Sequence, residues 1–166
     1  VLGGCGGCVV IVIIGMVAAG LGFANMWKGA SKDLPPITPQ NIQQLMGEVP
    51  LYPGSTLDAT TTQIVWGGVR MGEKAAGKPP GSIFKVVAVC RTQDPPDKIL
   101  EYYDQTLKGA GWQPAETKNN SGREQKVYRK GQDVVMVQVQ EQPGQGTMIT
   151  LMRGGPDLMK QAPASR

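Results

Sequence analysis

The chain has 166 residues, 17 Lys and Arg against 13 Asp and Glu, and no histidine. That length suits one domain plus an appendage, and without histidine a Ser-His-Asp triad, a His-ligated zinc or non-haem iron site and a His-ligated haem are excluded from it. Every charge lies from Lys28 onward, which leaves an uncharged start and a remainder of net charge +4.

Residues 8–27 read CVVIVIIGMVAAGLGFANMW. About twenty such residues rise roughly 30 Å as a helix, the thickness of a bilayer's hydrocarbon core, so the segment is predicted to span a membrane. Two readings compete with it: a signal peptide cleaved near Gly22-Phe23-Ala24, and a core helix, although so small a domain can hardly hide a helix that is apolar all round. Gly15 with Ala19 and Ala18 with Gly22 place small residues four apart, the spacing that lets a second helix backbone approach closely in a membrane. Trp27 and Lys28 fall where the interface would be.

The expected organisation is an N-terminal segment and span over 1–27, a Pro-containing linker over 28–40, an extracytoplasmic domain over 41–153 and a tail over 154–166. Lys28 and Lys32 after the span favour a cytoplasmic C-terminus. The stiff linker with Pro35, Pro36 and Pro39 resembles a spacer leading to an exported domain. A single-pass protein of a bacterial inner membrane, with its domain in the periplasm, is expected.

The cysteines point to no redox or metal site. Cys5-Gly6-Gly7-Cys8 lacks the βαβ setting of a redox C-x-x-C, Val9 stands where haem attachment needs His, and zinc would need two further ligands. Cys5 and Cys8 are candidate acylation positions. Cys90 ends an apolar run and reads as a small buried hydrophobe.

In chain order, Thr38-Pro39 is a cap and first-turn proline for a short helix through Met46, with Ile42, Leu45 and Met46 on one side and Gly47 as its stop. Residues 49–55 are punctuated by Pro and Gly. Residues 57–69, rich in Thr and β-branched side chains, are predicted to be a strand, 72–81 a long loop, and 82–91 a second strand completing a hairpin. Asp94-Pro95-Pro96-Asp97 predicts a helix to Lys108, capped by Asp94, with Ile99, Leu100, Tyr103 and Leu107 as its apolar stripe and Asp104 paired with Lys108 outside. Residues 112–117, 124–130, 133–140 and 147–153 read as four more strands joined by short turns. The predicted fold class is therefore α+β, a two-layer domain with a mainly antiparallel sheet of about five to six strands covered by one amphipathic helix.

Val49-Pro50-Leu51-Tyr52-Pro53-Gly54-Ser55, followed by Tyr102-Tyr103, Leu107 and Gly111-Trp112, resembles a recurring, mostly uncharacterised bacterial domain found behind lipoprotein signals or single spans. The resemblance covers about two thirds of the chain. It implies an extracytoplasmic, membrane-anchored α+β domain, and no catalytic residue travels with it.

No chemistry stands out in the rest. Asp94 with Asp97 and Glu101 with Asp104 read as caps and the wet side of a helix rather than as an acid pair. Gly67-Gly68 lacks a phosphate-loop setting. Lys118, Arg123, Lys126, Arg129 and Lys130 are the densest basic group; they read as a solvated hairpin, with a surface for an anionic lipid or partner as the alternative. Nine aromatic residues in all argue against nucleic acid as a partner.

No cofactor, metal or small-molecule substrate is expected, nor enzymatic activity. The favoured function is an accessory subunit that packs its span on a larger integral membrane complex in the bilayer, such as a photosynthetic reaction-centre or antenna assembly or a respiratory one. The alternative is a membrane-tethered periplasmic module that binds a ligand or an envelope component.

Overall fold

The structure, a computed structural model, describes residues 34–155 apart from Ser121. The expected span with Gly15, Ala18, Ala19 and Gly22, the interface pair Trp27 and Lys28, and Cys5 and Cys8 lie outside the described residues. None of the described helices is long and apolar enough to cross a membrane.

Helix α1 (Pro39–Met46) starts where the sequence places it. Thr38 is extended, its Oγ1 accepts from the Asn41 N–H, and Gly47 closes the helix at φ 63°. The short strand β1 (Thr56–Leu57) follows. The next element corrects the reading of 57–69 as a strand: it is helix α2 (Ala59–Ala75), which also takes in the first part of the expected loop. Asp58 caps it, accepting from the Thr61 N–H at 2.9 Å and from the Thr61 hydroxyl at 2.8 Å. Its buried side is Thr62, Val65, Trp66, Val69 and Glu73, the i, i+3, i+4, i+7, i+11 series of a helix face. Burial of that face overrides the poor helix propensity of the Thr and β-branched run.

Strand β2 (Phe84–Thr92), helix α3 (Pro96–Gly109) and strands β3 (Gln113–Asn120), β4 (Arg123–Lys130), β5 (Asp133–Gln142) and β6 (Gly146–Gly154) complete the domain. The sheet is six-stranded and antiparallel in the order β1-β2-β6-β5-β4-β3. β3 to β6 run as a meander, and β6 returns beside β2, so β2 has the last strand along one edge and only the two-residue β1 along the other, in place of the long hairpin partner expected from 57–69. Because α3 joins β2 to the strand at the far edge, it must cross one face of the sheet, where it packs over β5, β4 and β3.

Ile99, Leu100, Tyr103 and Leu107 of α3 are buried there, with Val135, Val137, Val139, Ile149, Leu151 and Cys90 facing them by strand alternation. The α3 cap differs from expectation. Pro95 occupies the cap position without a side-chain bond, and Asp94 instead receives the Tyr52 hydroxyl at 2.8 Å and Lys98 at 2.9 Å.

Helix α2 lies along the edge of β2 and makes the domain more than two layers under one helix. Thr62 Oγ1 accepts from the Val89 N–H at 2.9 Å and donates to the Val89 carbonyl at 3.4 Å. Three turns on, the buried Glu73 carboxylate accepts from the backbone N–H groups of Gly81, Ile83 and Phe84 at 2.7, 2.8 and 3.2 Å. Two side chains thus supply partners that another strand would have supplied. Gly154 meets Phe84 beside a β-bulge, and a Cβ there would fall on the Ile83 carbonyl oxygen.

Candidate functional site

Strand alternation gives the sheet two unlike faces. Opposite the α3 face, three cross-strand rows run from β4 through β5 and β6 to β2. The outermost is Arg123, Gln140, Met148 and Arg91; the next is Gln125, Gln138, Thr150 and Val89; the innermost is Val127, Met136, Met152 and Val87. Polarity therefore falls from charged through amide and hydroxyl to apolar over four residues of strand.

Thr61 and Val65 of α2 form the wall of a groove of about 330 Å³ over the outer two rows, with Gln142 and Gln145 at its rim. Its floor includes Thr150, 4% exposed, and Met148. Arg123 is held by one bond, Nε donating to Gln140 Oε1 at 2.9 Å. Arg91 Nε donates to Asp58 Oδ2 at 2.9 Å and its Nη1 to Gln142 Oε1 at 2.6 Å. Burial works against the Asp58 charge, but bonds from Thr61 and the Arg91 guanidinium outweigh it and hold the carboxyl below its ordinary range. Arg91 is thereby neutralised in place.

A second, shallower hollow of about 430 Å³ lies on the α3 side, lined by Tyr52, Pro53, Asp94, Lys98, Glu101, Tyr102 and Gln105. Tyr52 and Tyr102 meet edge to face at 5.2 Å between ring centroids, as do Tyr102 and Tyr103. Burial, then the bond to Asp94, pushes the Tyr52 hydroxyl up to about 12, while Lys98 and Tyr52 hold Asp94 low. The Tyr-Pro-Gly-Ser motif is thus a folding element: Tyr52 packs beneath α3, and Ser55 donates from its N–H and its hydroxyl to the Tyr52 carbonyl.

The basic group predicted from sequence is divided by the strand pleat. Lys126 reaches Asp104 at 3.0 Å, and Lys130 reaches Glu48, both on the α3 side. Arg123 and Arg129 alternate to the groove side, and Lys118, paired in register with Gln125, bonds Glu116 at 3.0 Å. Only Arg123 of the five lines the groove. The carboxylates likewise serve the fold: Asp104 accepts from the Tyr128 hydroxyl at 2.5 Å and pairs with Lys126 and Lys108. Cys90 is buried, and burial pushes its thiol up to about 11. Among the described residues no group of His, Cys, Asp and Glu could hold a metal ion.

Sequence reasoning missed Arg91, Gln140, Met148 and Thr150 as site residues. The available signal was the polar interruption of apolar strands, Gln138 and Gln140 in β5 and Thr150 in β6. Residues 79–148, from the loop before β2 into β6, are similar to a START domain-like family. The match leaves out α2, the helical wall of the groove. No curated protein and no solved structure matches the chain.

Proposed function

We propose that this chain is a non-enzymatic, membrane-tethered ligand-binding module, anchored in a bacterial inner membrane with its domain in the periplasm, and that its site is the groove between α2 and the sheet. The observation that carries this reading is convergence. Side chains from α2, β2, β4, β5 and β6 meet around one concavity whose size falls within the range of small-molecule sites, with apolar Val65, Val89 and Met148 beside amide, hydroxyl and guanidinium groups. The similarity of residues 79–148 to a START domain-like family supports it, since such domains generally bind ligands. The absence of histidine and the buried, poorly ionisable Cys90 thiol favour binding over catalysis.

The test is native mass spectrometry of the full chain released from membranes. A small molecule should accompany it and be lost when Met148→Trp fills the groove floor. A wild-type chain that carries nothing, and whose stability no added metabolite mixture changes, would sink the reading.

The second reading is the accessory subunit of a larger membrane complex, a photosynthetic or respiratory assembly, and the small-residue series Gly15, Ala18, Ala19 and Gly22 favours it. It predicts stoichiometric co-migration with an integral membrane complex, weakened by Gly15→Leu or Gly22→Leu. The two functions are compatible; Met148→Trp tests the groove and the Gly15→Leu and Gly22→Leu variants test the membrane packing.

A further inference from the structure

We propose that the groove selects an organic anion and that Arg123 is the residue that reads its acid group; this rests on the groove being a binding site. The groove-lining residues include two cations, Arg91 and Arg123, and no acid. Arg91 spends its charge on Asp58 at 2.9 Å and a further donor on Gln142. Arg123 donates only to the neutral amide oxygen of Gln140, and no ion pair joins it to an acid among the described residues. The groove therefore carries one uncompensated positive charge, at its β4 end, on a half-buried guanidinium with donors to spare.

A carboxylate or phosphate oxygen at this end would accept from the Arg123 donors that Gln140 leaves free. A neutral amide offers the guanidinium one uncharged oxygen and cannot form the bidentate, charge-assisted pair.

The row between Arg123 and Arg91 spans three inter-strand steps, about 14 Å at about 4.8 Å each. A short ligand with its acid at Arg123 would lay its body over Met148 toward Val65 and Val89. The Asp58 carboxylate beyond Arg91 disfavours a second acid at that end, so the selected class is a monoacid with a compact apolar body.

The experiment uses the full chain in zwitterionic lipid nanodiscs with methyl-labelled Met and Val. It is titrated with matched carboxylic acids and their primary amides: hexanoate with hexanamide, and 3-phenylpropionate with its amide. The acids should shift the Met148 and Val89 methyl resonances and bind about tenfold or more tightly than the amides. Arg123→Gln should bring acid and amide within about twofold of each other, chiefly through loss of acid affinity, and Arg123→Lys should keep part of the preference. Equal affinity of acids and amides at the groove methyls, or an acid preference that survives Arg123→Gln, overturns the anion assignment and leaves the groove standing. No shift at Val65, Val89 or Met148 with either series overturns the groove along with it.

Discussion

The two faces of the sheet come from the same alternating strands and are finished in opposite ways. On the side of α1 and α3, most polar groups are paired at short range: Tyr128 and Lys126 on Asp104, Thr147 on the Asp94 carbonyl at 2.7 Å, Arg153 on Asp133 at 2.7 Å and on the Met46 carbonyl at 2.8 Å, with the Arg153 Nε left over. Under α2, polar groups line an opening, and Arg123 makes one bond there, to the Gln140 amide oxygen, which leaves guanidinium donors unused. A partly buried guanidinium whose donors the chain leaves unused is costly, so a face that keeps one beside a concavity differs from one built for stability alone. Under the proposed function, the α3 face supplies stability and the α2 face recognition.

The largest blow to the first face is Leu107→Ala. Leu107 is fully buried on the sheet-facing side of α3, and the substitution should cost about 3 kcal/mol in urea unfolding. Because Leu107 stands on the far side of the sheet, the groove methyl resonances should move little, and a large movement would break the division between the faces.

Glu73→Ala tests the second face. It strips partners from the Gly81, Ile83 and Phe84 N–H groups, costs about 2 kcal/mol, and should speed amide exchange at Ile83 and Phe84 before it does so in β5. Exchange that rises evenly through the sheet would show that α2 and the α3 layer come apart together.

The smallest effect is in acid. Asp104 is held below its ordinary range because the Tyr128 hydroxyl, Lys126 and Lys108 outweigh burial, and Asp133 because Lys85 and Arg153 bond it. Carboxyls depressed in the folded state add stability that is complete above about pH 4 and is lost as pH falls through their folded values. Tyr128→Phe should therefore cost about 1 kcal/mol at neutral pH and make the acid loss shallower, read from unfolding midpoints between about pH 2 and pH 7. An unchanged pH slope would mean that the lysines alone hold Asp104.

How far the sequence foretold this division depends on the range of the signals. α1, α3 and strands β2 to β6 were legible because caps, turns and alternation act within a few residues: Thr38-Pro39, Pro95-Pro96, Gly131-Gln132 and Pro143-Gly144 mark their ends. α2 was misread because Thr60, Thr61, Thr62, Ile64 and Val65 have the composition of a strand, although the Asp58 cap and the spacing of Thr62, Val65, Trp66, Val69 and Glu73 were present. The groove was not legible at all. Its floor joins Arg91 to Met148 and Arg123 to Gln140 through a register that no local pattern encodes, and its wall is the helix that was misread. The basic group failed for the same reason: a pleat of period two sends Lys126 and Arg123 to opposite faces.

Thr62 and Glu73 on the edge of β2 have a consequence for crowding. A sheet polymerises through free edges, by pairing its open backbone with that of a neighbour. Here β2 has much of its edge occupied by β1 and by the side chains of α2, while β3 at the other edge carries a proline, Pro114, a bulge before Glu116, and the charges of Glu116 and Lys118. The domain is thus guarded at both margins against strand-to-strand aggregation, a hazard that grows when many copies are held at high local concentration on one surface.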